Sequence, residues 1–235
     1  MSPSALAIKR ITNDCKRVRE LSVEGIFWIG DETNLTHGWA IVCGCDESPY
    51  YGGAYCFDVV FPDNYPFEPP KFSYLTNDGR TRFNPNLYKN GKVCLSLLNT
   101  WEVGDKWSGV QSLSSVLQSI QTAVLNQDPL RNEPAYSNLS LHDDIPVYNR
   151  MILHANIETA ILAQLTKPPV YLVPVYPEVR AWMMKARETI VSRAKELSAK
   201  WDGKVEENTF YHMTQKYRFG ELATLLSSVS EIAHE

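Results

Sequence analysis

Cys94 lies in the stretch FNPNLYKNGKVCLSLLNTW (residues 83–101), behind an Asn84-Pro85-Asn86 run and an Asn90-Gly91 turn and just ahead of an apolar run. Three roles suit such a thiol: packed core residue, metal ligand or nucleophile. A cysteine that attacks an amide needs a paired base or a depressed pKa. The five histidines (His37, His142, His154, His212 and His234) are scattered, and none falls in a recognisable protease context. A distant histidine that folded close would make a Cys–His hydrolase. Exchange with an acyl group already activated as a thioester asks less. Swapping one thiol for another is nearly balanced in energy, and an ordinary, partly ionised thiol suffices.

The other candidate ligands are Cys43, Cys45 and Cys56, with His37 not far off. Their C-x-C spacing lacks a second matching knuckle, both flanking segments read as strands, and cysteine is among the residues most often buried, so no metal site is expected. Five cysteines without a disulfide-like spacing point to a reduced intracellular protein, cytoplasmic or nuclear.

A chain of 235 residues can build one sizeable core, or one domain with an appendage. Its net charge of −4 argues against a nucleic-acid binder. The one basic concentration is Lys9, Arg10, Lys16, Arg17 and Arg19, near the start. No signal peptide and no apolar run of membrane-spanning length is legible, so no membrane association is expected.

The elements that must position Cys94 follow from periodicity. Ile8, Ile11, Cys15 and Val18 form one stripe of a helix over residues 4–21. GIFWIG, GWAIVCGC, AYCFDVVF and KFSYL, separated by Gly, Asp, Asn and Pro, read as an antiparallel meander of four strands. FPDNYPFEPP then breaks regular structure, and residues 80–92 read as loop. Leu113, Val116, Leu117, Ile120 and Val124 predict a helix over 112–125, and a further helix is expected from about Pro146 to Leu165. The class is α+β. At TKPPVYLVPVYPEV (166–179) the prolines predict an extended strap lying along the preceding domain. Beyond it, a long amphipathic helix ends before Gly203, and a final helix carries Leu222, Leu225, Leu226, Val229 and Ile232. The expected division is a core over 1–166 and a strap with a helical C-terminal extension over 167–235.

YYGGAYCFDVVFPDNYPFEPPKFSYLT, RFNPNLYKNGKVCLSLL and KWSGVQSLSSVLQSIQTAV, in that order, resemble the core of the ubiquitin-conjugating enzyme family over about residues 4–165. NPN, LLNTW and NEPAY are similar to its extended members, most to the branch that includes ubiquitin-conjugating enzyme Z. The resemblance implies the fold of that family and a carrier mechanism. Cys94 would take ubiquitin or a ubiquitin-like protein as a thioester from an activating enzyme. It would pass the acyl group to a lysine of a protein substrate or to the thiol of a ligase. ATP is used upstream, and no cofactor is needed.

By the same resemblance, Asn86 supports the loop beside the thioester and is placed to hydrogen-bond the developing oxyanion, with Asn84 and Pro85 bracing that loop. Asp128 matches an acidic residue that orients the incoming lysine. Phe67, Trp107 and Ser108, with Lys9 and Arg10, match the face that docks the activating enzyme and ligases. Three departures stand out. Asn84 replaces the usual histidine, Gly109 stands where ligase-binding members often carry proline, and the stretch from Cys94 to Trp107 is longer than in compact members. Two rivals remain, a binding module of the same fold without chemistry and the cysteine hydrolase.

Overall fold

The structure is a computed structural model, and it describes residues 3–102, 104–136, 140 and 143–230. Helix α1 (Ala5–Arg19) is capped by the Ser4 hydroxyl, which accepts from the Ala7 N–H at 3.1 Å, and Lys16, Arg17 and Arg19 face the negative end of its dipole. Its buried face is Ala7, Ile11, Asp14 and Val18, rotated slightly from the expected stripe. Ile8 is exposed and Cys15 half-buried. Asp14 turns inward because the Tyr65 hydroxyl and the Arg10 guanidinium satisfy its carboxylate, a pairing that hydrophobic periodicity does not register.

The four expected strands form one antiparallel sheet in sequential order: β1 (Ile26–Gly30), β2 (His37–Cys43), β3 (Ala54–Val60) and β4 (Lys71–Tyr74). One register row runs Trp28, Ala40, Phe57, Tyr74 and packs toward α1 and the helices after the sheet. The adjacent row runs Phe27, Ile41, Cys56 on the opposite face. Both faces are covered, so the strands read as continuous apolar runs rather than as an apolar–polar alternation.

Helix α2 (Leu113–Ser119) starts at a reciprocal Ser112–Ser115 cap and runs on as a π-helical turn, Ile120–Val124. Helix α3 (Asp144–Ala155) continues through the π-helical stretch Asn156–Leu162 into α4 (Ala163–Thr166), slightly longer than expected. Gly52 and Gly53 let this helical layer close on the sheet. A Cβ on Gly52 (φ +74°) would sit 2.5 Å from Ile190 Cδ1, and one on Gly53 would sit 2.0 Å from Asn156 Oδ1. Only glycine fits there.

The strap does lie along the sheet, but not as an extended chain. Val170–Val175 form a 3₁₀ helix that runs into α5 (Tyr176–Trp201). Proline is barred from an α-helix interior, yet its fixed φ is that of a 3₁₀ turn. Leu172, Val179 and Met183 cover the Phe27, Ile29, Ile41, Cys43 and Cys56 face. A two-stranded hairpin, β5 (Val205–Asn208) and β6 (Met213–Lys216), then precedes α6 (Phe219–Ser228). The hairpin was not expected, because VEEN and MTQK are short and largely polar. Val229 caps α6 from outside, and Ile232 lies outside the described residues. Ala186, Ile190, Tyr217, Phe219, Leu222 and Leu226 share one apolar cluster with the core helices and sheet. Among the described residues, no helix is long and apolar enough to cross a membrane.

Candidate active site

Asn86 clamps the Cys94 peptide from both sides. The Cys94 N–H donates to the Asn86 carbonyl at 2.8 Å, and the Asn86 side-chain amide donates to the Cys94 carbonyl at 2.7 Å. Asn86 is fixed in turn by Asn84, whose Oδ1 accepts the Asn86 N–H at 2.9 Å across Pro85. Asn84 is fully buried and is the hub of the site. Its amide donates to the Val124 carbonyl at 2.7 Å and to the Tyr50 hydroxyl at 3.0 Å, and that hydroxyl donates to the Phe83 carbonyl at 2.6 Å. An asparagine therefore supplies the donor and acceptor that a bracing residue needs here. Pro85 contributes a rigid turn and a carbonyl, which accepts from the Arg82 guanidinium at 2.7 Å.

On the far side of the thiol, the Thr100 hydroxyl accepts from the Leu95 N–H and donates to the Val93 carbonyl, both at 2.9 Å. Asn99, in the left-handed region at φ 56°, accepts from the Trp107 N–H at 3.1 Å. The long stretch after Cys94 thus folds back on itself, and Cys94 is only 2% exposed.

Asp128 is exposed and opens the 3₁₀ turn Pro129–Asn132. Asn132, in the same turn, donates to the Ala123 carbonyl at 3.0 Å and reaches Asn84 Oδ1 at 3.4 Å. The turn that presents Asp128 is therefore tied to the brace under Cys94.

No histidine among the described residues hydrogen-bonds to Cys94. The His37 ring is held between Asp31 and Asp58, at 2.8 Å from each. His154 is buried against Tyr217 and Phe219, and His212 stands exposed on the hairpin. His142 and His234 lie outside the described residues. Burial pushes the other thiols up, Cys15 to about 12 and Cys56 to about 11, with Cys43 and Cys45 moved the same way. Cys43 and Cys56 pack in the strap-covered cluster, and no metal-holding group of His, Cys, Asp and Glu occurs among the described residues.

The expected docking residues sit on one knitted surface and divide into two kinds. Phe67 is 72% exposed, and Lys9 and Ser108 are also exposed. Trp107 is buried and donates its indole N–H to the Pro66 carbonyl at 2.8 Å, holding the two loops together. Arg10 is spent in the same way, its guanidinium on Asp14 and on the Gly109 and Gln111 carbonyls, so it braces the loop instead of projecting from it. Gly109 has open space, since a Cβ there would meet only the Pro66 carbonyl, at 3.7 Å. Val110, 90% exposed, and Leu6, 57% exposed, extend the apolar surface.

A family profile described as ubiquitin-conjugating enzyme matches residues 10–145. The chain belongs to the ubiquitin-conjugating enzyme family. It is 39% identical to ubiquitin-conjugating enzyme E2 Z of Homo sapiens over 153 residues, which is 65% of this chain and 43% of that protein. It is 41% identical over 162 residues to probable ubiquitin-conjugating enzyme protein 17 of Caenorhabditis elegans, 66% of this chain and 22% of that one. The chain thus spans less than half the length of these two curated relatives. Among solved structures, the E2 domain of a Toxoplasma gondii ubiquitin conjugating enzyme superposes with a TM-score of 0.52 at 24% identity, covering 65% of this chain and 97% of that domain.

Sequence reasoning missed the supports of the Cys94 loop: Tyr50, Arg82, Thr100 and Asn132. Each acts through a backbone carbonyl or N–H, and such bonding leaves no periodic trace in sequence.

Proposed function

We propose that the chain carries ubiquitin or a ubiquitin-like protein as a thioester on Cys94 and passes it to a substrate lysine, usually with a ligase. The observation that carries this reading is the two-sided clamp of Asn86 on the Cys94 peptide, without a histidine bonded to the thiol among the described residues. Such a site suits exchange of an already activated acyl group, and among the described residues no histidine is bonded to the thiol to serve a hydrolase as base.

In loading, the Cys94 thiolate attacks the carbonyl carbon of the modifier's thioester on the activating enzyme. A new C–S bond forms, the old one breaks, and the departing thiolate takes up a proton. In transfer, a lysine nitrogen attacks the same carbon, the C–N bond forms, and Cys94 leaves as thiolate. Lysine has a reference pKa near 10.4, so it must lose a proton first. The exposed Asp128 carboxylate would orient the amine and relay that proton to water. The Asn86 amide, released from the Cys94 carbonyl or using its second N–H, would stabilise the oxyanion; such a donor is worth about a hundredfold or more in rate. Phe67, Ser108 and Lys9, joined by Val110, form the docking face for activating enzyme and ligase, with Trp107 and Arg10 holding its loops. Within this reading, residues 1–166 are the catalytic core and 167–235 its extension.

The test mixes the chain with ATP, an activating enzyme and labelled ubiquitin or a ubiquitin-like protein, and compares gels with and without reductant. A reductant-sensitive adduct is expected, absent in Cys94→Ala and at most a reductant-resistant oxyester in Cys94→Ser. Asn86→Ala should load normally and transfer slowly. A folded chain that loads no modifier from any activating enzyme would be a binding module instead.

A further inference from the structure

We infer that the hairpin of the C-terminal extension belongs to the catalytic apparatus, with Tyr211 and Met213 positioning the Asn84–Asn86 loop through Arg82. This inference rests on the thioester role proposed for Cys94.

Arg82 is the joint. Its guanidinium donates to the Asn84 carbonyl at 3.0 Å and to the Pro85 carbonyl at 2.7 Å, so it holds the backbone that sets Asn86. Its Cζ lies 3.3 Å from the centre of the Tyr88 ring and 5.3 Å from that of Tyr211. The Arg82 N–H points at the Met213 sulfur, 3.1 Å away, and its carbonyl accepts from the Tyr148 hydroxyl at 2.6 Å. A planar cation seated on aromatic rings keeps its fork in one orientation. Two of its contacts, Tyr211 and Met213, come from the hairpin.

The hairpin is built to hold that place at some cost. Glu206 takes both Arg150 (2.6 and 2.7 Å) and the Tyr217 hydroxyl (2.6 Å), which anchors β5. The turn brings Phe210 to 4.4 Å from Tyr136 and Tyr211 to 5.9 Å from Tyr148, ring centre to ring centre. His212 adopts φ 49°, a conformation unfavourable for a non-glycine residue, and the buried Tyr211 hydroxyl has no partner among the described residues. A left-handed residue is ordinary in a hairpin loop, but a buried hydroxyl without a partner is not, and it follows from setting the Tyr211 ring beside Arg82.

The test uses the full chain. Tyr211→Ala and Tyr211→Leu remove the aromatic face, and Leu keeps most of the bulk. Tyr211→Phe removes only the unpartnered hydroxyl. Hydrogen exchange in residues 83–95 should quicken about tenfold in the Ala and Leu variants and stay as in wild type for Phe. Discharge of a preformed Cys94 thioester to free lysine should slow about tenfold in the same two variants, the scale expected when a reacting geometry loosens. In an Asn86→Ala background Tyr211→Ala should add less than about twofold, because both act through one loop. Unchanged exchange in residues 83–95, or independent effects of Tyr211 and Asn86, overturns the inference. A wild-type chain that never loads overturns the thioester reading and the catalytic half of this one, while hydrogen exchange still decides whether the hairpin braces the loop.

Discussion

Asn84→Ala should unravel the brace beneath Cys94, and the structure sets the size of the loss. The wild-type side chain is fully buried and makes three strong contacts: Asn86 N–H at 2.9 Å, Val124 carbonyl at 2.7 Å and Tyr50 hydroxyl at 3.0 Å. Without it, the buried Asn86 N–H loses its acceptor. The Val124 carbonyl keeps only a long approach from Asn132 at 3.4 Å, whereas the Tyr50 hydroxyl keeps its bond to Phe83. One orphaned donor and one under-satisfied acceptor, at about 1–3 kcal/mol for a full orphan, amount to about 2–4 kcal/mol. For a chain of this size that lowers Tm by about 10 °C. Urea and thermal unfolding of the two proteins measure the difference, and lysine discharge of the loaded thioester shows whether the loop moves with it. A loss below about 1 kcal/mol would refute the reasoning, since Asn84 would then not be the hub.

Leu172→Ala in the strap should cost about 2–5 kcal/mol, because the side chain is fully buried against the second face of the sheet; removal of residues 167–235 should expose that face and give dye-binding, aggregation-prone material, and a truncated chain with unchanged Tm would contradict this. His154, buried against Tyr217 and Phe219, is held down to about 4 chiefly by burial, with Arg218 and Arg80 lowering it further and Glu158 and Asp202 opposing. It stays neutral in the fold while the unfolded chain protonates near 6.5, so its contribution is complete above that pH and is lost as pH falls toward 4. Over about 2.5 pH units that is about 3 kcal/mol; His154→Gln should flatten the fall of urea stability across this window, and identical slopes would count against it. Phe67→Ala removes an exposed ring and should change stability by no more than about 0.5 kcal/mol. Discharge stimulated by a ligase should fall while unstimulated discharge of the preloaded thioester stays; a drop in both, or in neither, would sink the docking role.

Local pattern alone carried the sheet, α1, the helix over 112–125 and the long helix ending before Gly203, because periods of 2 and 3.6 are written in neighbouring residues. The order of motifs around Cys94 was enough to point to the family. Tertiary structure decided everything that depends on which polar group meets which. Asp14 turned inward because Tyr65, 51 positions away, satisfies it. The prolines of the strap chose a 3₁₀ helix once Leu172 had a face to bury against. The weak strands of the hairpin exist because Arg150 and Tyr217 hold Glu206, and Met213 reaches Arg82 across 131 positions of chain. Hydrogen bonds and ion pairs are short-ranged in space but indifferent to distance along the chain. A single sequence therefore names the thiol and the elements around it, and only the fold shows which residues hold that thiol still.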